Sequence, residues 1–192
     1  MTATATRMLS IATRQFADKG YSGASMRSIA AATGTTQAAI YHHFPNKMAL
    51  YEAALAQKFE EKTSAAVTGL EEIEEPEARL REFVRRIVAL SDEDVAFRQL
   101  YLRELLESNP ERLATLASNL FTGLTDNVFQ IARQLDSRLD SHLFMLSILG
   151  LVCHHLEARG LAALVPDNPP ENQTLDTLSE HISDLLLNGV RG

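Results

Sequence analysis

The stretch Gly20 to Lys47, GYSGASMRSIAAATGTTQAAIYHHFPNK, decides the fold: it reads as two short helices around a tight glycine turn, with an aromatic and basic exit into a third helix. Ser25 can cap the first of these, because a serine hydroxyl satisfies an orphan amide of an opening turn, and Met26, Ile29 and Ala30 then fall on its inward side. Gly34 ends that helix by taking the positive-φ turn that other residues resist. Thr36 can cap the next one, whose Ile40 and Phe44 recur at i and i+4. This is the spacing of a helix-turn-helix.

With Ile40 and Phe44 inward, Gln37, Ala38 and Tyr41 share a face able to enter a major groove. Gln37 can donate and accept together against an adenine edge, and the Ala38 methyl can lie beside a thymine methyl. Tyr41 and His42 can reach phosphate oxygens, and Ser25 and Thr36, at the two helix starts, are counted with the same DNA-binding surface. Asn46 caps a new helix immediately before Lys47, so a cation and a row of free amides would converge on one phosphate. Arg27 could read a guanine or hold a phosphate. Adjacent helical residues point about 100° apart, so His42 and His43 do not share a metal ion easily; one is expected to face phosphate and the other to pack.

The segment resembles the DNA-binding domain of TetR-family transcriptional regulators. That pattern runs glycine, a small or apolar residue, a cap, a short helix with an apolar-Tyr pair, His-Phe, one residue, Asn or Ser, and Lys. Gly34, Thr36, Ile40-Tyr41, His43-Phe44 and Asn46-Lys47 match it in order. Thr35 and Met48 depart from it, both away from the reading side. The resemblance covers the first quarter of the chain and implies a homodimeric repressor that binds a palindromic operator in double-stranded DNA.

Charge distribution agrees. The chain carries a net charge of −7, yet residues 1–58 hold six cations against two carboxylates, +4, which leaves −11 on the remaining 134 residues. A basic end on an acidic body confines counterion release to one surface and repels polyanions elsewhere.

At 192 residues and 45% apolar content the chain can build a small domain and a larger one with its own core. The expected division is a helix-turn-helix domain over 1–46 and a helical effector-binding and dimerisation domain over 47–192. MTATATR is polar and Leu9 to Phe16 amphipathic, so no signal peptide is expected. The longest apolar run, Phe144 to Leu156, contains Ser147 and two histidines and reads as too short for a bilayer, so no membrane partner is expected. A single cysteine, Cys153, suits a reducing cytoplasm.

Beyond the motif the periodicity is helical throughout, and the predicted class is all-α. A helix over 4–19 with Leu9, Ala12 and Phe16 inward stops at Gly20; a long one from Lys47 carries Leu50, Ala54, Leu55 and Phe59. The acidic run Glu71 to Glu77 reads as a solvated connector. Further helices are predicted over 76–91, 93–107, 110–135, 137–163 and 172–187, the third started by Asn109 and Pro110. The helix from Ser137 is apolar on more than one side, so one side can fill a core while another meets a partner. Leu146 and Gly150 there, with the Leu175, Leu178 and Ile182 stripe of the last helix, suggest a homodimer through a four-helix bundle, which the resemblance also implies.

Phe83 and Ile87, Phe97 and Tyr101, and Phe121 with Leu124 and Val128 recur at helical spacing; they can line a cavity for a small, largely apolar effector or simply fill the core. Consecutive Cys153, His154 and His155 have the wrong spacing for a metal site on one helix. No nucleophile elbow, phosphate loop, HExxH or CxxC is present, so no catalytic residue, metal or cofactor is expected. The leading function class is therefore an effector-released repressor. An effector-free architectural DNA binder is the alternative.

Overall fold

Ten α-helices carry the described residues of the computed structural model, which are 3–121, 124–166 and 174–191. They are α1 Ala3–Gly23, α2 Met26–Thr33, α3 Gln37–His43, α4 Lys47–Val67, α5 Pro76–Glu93, α6 Val95–Glu107, α7 Pro110–Phe121, α8 Leu124–Leu135, α9 Ser141–Ala162 and α10 Leu175–Arg191. A 3-10 turn, Leu70–Glu72, follows α4; its glutamates are exposed as expected of a connector, but Leu70 is buried. The all-α class holds, with the helix-turn-helix in α1 to α3 and a larger helical body after it.

The helices sort into two packing units that interleave along the chain. One comprises Met1–Glu61 with Val95–Leu120, the other Lys62–Asp94 with Phe121–Gly192. In the first, α1 packs on α2 and α6, and its Leu9, Ala12 and Phe16 are buried. Ile29, Ile40, Leu50, Leu55 and Phe59 complete its core, and a fully buried apolar side chain of this size is worth about 1.5–3 kcal/mol. In the second, α5 is the central helix, packed against α8, α9 and α10, with Leu80, Phe83, Val84 and Val88 buried.

Several boundaries differ from those predicted, each for a local reason. Over 110–135 the described residues form α7 and α8, on either side of residues 122–123, which lie outside the described residues. The next helix starts at Ser141: Asp140 caps it, its carboxylate accepting from the His142 and Leu143 amides at 2.9 and 3.0 Å, while Asp136 binds the Arg138 amide at 2.8 Å in a turn before it. At 22 residues, with mean hydropathy 1.2 over an 18-residue window, α9 is longer than the apolar run suggested and reaches the length and composition of a membrane-crossing helix. Its buried side, Phe144, Ile148, Val152 and Leu156, belongs to the core of the second unit.

Candidate nucleic-acid interface

Each turn of the motif is held by its own side chains. Ser25 caps α2 by accepting from the Ser28 amide at 3.0 Å, and the Ser25 amide donates back to the Ser28 hydroxyl at 3.2 Å, a reciprocal capping box. The Ser28 hydroxyl and Gln15 carboxamide lie 2.7 Å apart, and the Gln15 NH2 donates to the Ser28 carbonyl at 3.0 Å, which ties α1 to α2. Gly34 then takes the left-handed conformation, φ 69°, while the Gly34 and Thr35 amides return to the carbonyls of Ala31 and Ala30. Thr35, apolar in the usual pattern, places its hydroxyl 2.8 Å from that of Thr33. Thr36 accepts from the Ala39 amide at 3.2 Å and opens α3.

Ile40 and Phe44 are buried as expected, and this presents Gln37, Ala38, Tyr41 and His42 to solvent on α3, Tyr41 at 47% exposure. Ser25, Arg27 and Thr36 are also exposed. The histidine pair departs from expectation: His43 is exposed like His42, because Phe44 alone fills the inward position, and the two rings meet edge to face at 5.4 Å. Asn46 caps α4 by accepting from the Ala49 amide at 2.8 Å. Lys47 is half-buried, its ammonium 4.4 Å from the centre of the Tyr21 ring, and burial first, then the Arg112 guanidinium, lowers its pKa. A short, reinforced helix with a small polar outer face and a cation at the start of its successor can lie in a groove and grip the sugar-phosphate backbone.

Residues 8–54 match the family of bacterial regulatory proteins, tetR family. That segment is a tetR-family DNA-binding domain. The chain is 28% identical over 151 residues to the HTH-type transcriptional activator FasR of Mycolicibacterium smegmatis, an alignment spanning 76% of this chain and 66% of that protein, just under two thirds of its length. Its fold is shared along the whole chain with FadR of Bacillus halodurans, a fatty acid degradation regulator, at TM-score 0.79 and 20% identity, covering 100% of this chain and 98% of that one. FadR of Bacillus subtilis, solved in complex with stearoyl-CoA, is similar at TM-score 0.77 and 19% identity, covering 96% and 98%.

The residues expected to line an effector cavity fall in both units of the chain. Phe97 and Tyr101 are buried in the first, Phe97 against Phe59 with ring centroids 4.8 Å apart. Phe83, Ile87, Leu124 and Val128 are buried in the second, while the Phe121 side chain lies outside the described residues. A recess of about 440 Å³ opens between α5 and α10, lined by Arg81, Glu82, Arg85, Asp176, Ser179 and others, and one of about 330 Å³ opens between the start of α9 and the end of α10. Neither is lined by those aromatic and aliphatic residues.

Of the residues expected at a dimer interface, Leu146 is 49% exposed and Gly150 faces open space, with nothing within 4 Å of where a Cβ would stand. They belong to an outward stripe of α9 with Leu143, His154 and Leu161. On α10, Leu175 and Leu178 are half-buried, but Ile182 is fully buried and is core; the outward residue one turn on from His181 is Leu185. His155 bonds the Leu151 carbonyl through Nδ1 at 2.8 Å, which settles it as a helix-bonded histidine, and the described residues contain no group of three or more His, Cys, Asp or Glu able to hold a metal.

Proposed function

We propose that the protein is a homodimeric repressor that binds a palindromic operator and is released by a small, largely apolar effector. The observation that carries this reading is the exposed Gln37, Ala38, Tyr41 and His42 surface on a helix capped by Thr36 and anchored by Ile40 and Phe44. Gln37 and Ala38 read base edges. Ser25, Thr36, Tyr41, His42 and Lys47 hold phosphates, and Arg27 serves either role. Residues 1–46 form the reading domain and 47–192 the effector-binding and dimerisation domain, a division by role that cuts across the two packing units.

Two protomers would join through the outward stripe of α9, Leu143, Leu146, Gly150 and Leu161, beside Leu178 and Leu185 of α10. The exposure of these apolar residues and the neighbouring 330 Å³ recess support that face. On this reading α9 is a core and interface helix of a cytoplasmic protein and not a membrane span. The effector would lie among Phe83, Ile87, Leu124 and Val128 of the second unit; Phe97 and Tyr101, also expected to bind it, belong to the first. Coupling to DNA needs only a small change in the separation of two recognition helices, whose half-sites lie about 34–36 Å apart.

The stearoyl-CoA held by the Bacillus subtilis FadR makes a long-chain acyl thioester the first probe to titrate. Effector bound to free protein and to operator-bound protein should differ in affinity by the same factor by which it weakens the operator, typically about 5–150-fold. Equal affinity for both forms would reject that ligand as inducer. If no apolar ligand binds, the architectural reading replaces this one. A promoter reporter decides the sign, which matters because the Mycolicibacterium relative is named an activator: repression raises expression on deletion of the gene, and activation lowers it.

A further inference from the structure

Within the first packing unit, four polar side chains from α4, α6 and α7 form a cluster, with Tyr51, Glu104 and Arg112 buried and Glu107 at its exposed edge. The Tyr51 hydroxyl donates to Glu104, Arg112 Nε donates to the other Glu104 oxygen at 2.9 Å, and Arg112 Nη2 donates to Glu107. Glu104 is 1% exposed, and so is Tyr51. A carboxylate this deep is tolerated only when paired and hydrogen-bonded on both oxygens, which this arrangement achieves. Burial first, and then Glu104, push the Tyr51 hydroxyl well above its ordinary pKa and keep it a donor. Burial opposes the charge on Arg112, but Glu104 and Glu107 outweigh it and raise its pKa.

A cluster of this kind could merely close a core. What gives it a further role is Tyr21, just past the break at Gly20. The Tyr21 ring is faced by the Lys47 ammonium at 4.4 Å and by the Arg112 guanidinium at 4.9 Å, and it meets the Tyr51 ring edge to face at 5.1 Å. Nearby, Arg103 of α6 donates to the Ala17 and Asp18 carbonyls at 2.7 Å each, holding the end of α1 on the same helix that carries Glu104. The lysine ammonium is a point charge on a flexible stem, so a ring that seats it removes part of the ordering cost of a phosphate contact. Two cations share one ring, and they can do so because Arg112 is neutralised by Glu104 and Glu107.

We propose that Glu104 and Arg112 are positioning residues for the phosphate contact of Lys47: Arg112, neutralised by Glu104, holds the Tyr21 ring on which the lysine ammonium is seated. The proposal rests on the reading of Lys47 as a phosphate contact. It extends the DNA-binding machinery to α6 and α7, neither of which belongs to the helix-turn-helix.

The test is a double-mutant cycle read by operator affinity across salt concentrations. Glu104→Gln keeps the shape but strips a charge, leaving Arg112 balanced by Glu107 alone and its repulsion of Lys47 less offset. Operator affinity should fall about threefold to tenfold, and the salt slope should flatten by up to about one unit. In a Lys47→Ala background the same substitution should have no further effect, whereas in an Arg27→Ala background its full effect should persist. If Glu104→Gln does not fold, as judged by far-UV circular dichroism, Tyr21→Leu removes the platform itself and enters the same cycle. Equal losses in the Lys47→Ala and wild-type backgrounds overturn the proposal. Failure of the wild-type protein to bind any duplex would instead remove the underlying reading of Lys47.

Discussion

Replacing Gly20 with alanine should cost the protein more than replacing Gly34, although both glycines hold positive φ. Gly34 stands at φ 69°, ψ 29°, a left-handed conformation that an L-residue enters at about 1–2 kcal/mol. A Cβ added there meets nothing within 4 Å, so backbone strain is the whole penalty. Gly34→Asn should cost less than Gly34→Ala, because asparagine tolerates this region. Gly20 stands at φ 71°, ψ 172°, a region populated almost only by glycine, with a backbone penalty of about 1–3 kcal/mol. Its added Cβ would also lie 2.9 Å from Glu107 Oε1 and 3.5 Å from Arg103 Nη1. Glu107 is held by Arg112, so moving it disturbs an ion pair worth up to about 1 kcal/mol. The expected cost of Gly20→Ala is therefore up to about 4 kcal/mol, against at most about 2 for Gly34→Ala. Urea unfolding of the three variants measures both penalties, provided the m-values agree. Equal midpoints for Gly20→Ala and Gly34→Ala, or a larger loss at Gly34, would refute this reasoning about where α1 ends.

Gln37→Ala should cost about 1–3 kcal/mol on the best operator and relax one base position, whereas Lys47→Ala should weaken all sequences alike and flatten the salt slope by about one unit; an unchanged slope would exclude a phosphate role for Lys47. Gly150→Arg puts bulk and charge on the outward stripe of α9 and should yield monomers by sedimentation with collapse of palindrome binding; a dimer that still binds would place the interface elsewhere. Arg85 first, then Arg86, hold the Glu82 carboxyl down to about 2 from an ordinary 4.5, so its stabilisation is present above pH 4.5 and is lost as pH falls toward 2. Glu82→Gln should destabilise by up to about 1 kcal/mol at pH 7, and the gap from wild type should close on acidification; a constant gap in unfolding midpoints would mean the shift is not a property of the folded state.

The motif was legible because its determinants are local. Ser25, Gly34, Thr36 and Asn46 each satisfy or terminate a helix within a few residues of themselves, and all four do so as their residue types suggest. The Gln15 to Ser28 tie and the Tyr21 platform were not legible, because they depend on the register between helices that no single-helix pattern encodes. For the same reason nothing in the spacing of Phe97 and Tyr101 says that α6 packs with α1, since an apolar stripe announces that a face is buried but not against what. Ile182 shows the limit most sharply: the stripe containing it was visible, yet whether it or Leu185 faced inward was decided by the helices packed beside α10. His43 failed on a smaller scale, because Phe44 takes the one inward position available at the end of α3.

Selection of bound duplexes from a random pool, followed by titration of the winning sequence against salt, tests the central claim most directly. The account predicts enrichment of a palindrome whose half-sites lie about one helical turn apart, bound by two protomers, with log affinity falling linearly in log salt concentration. No enriched sequence, or an affinity indifferent to salt, would contradict it.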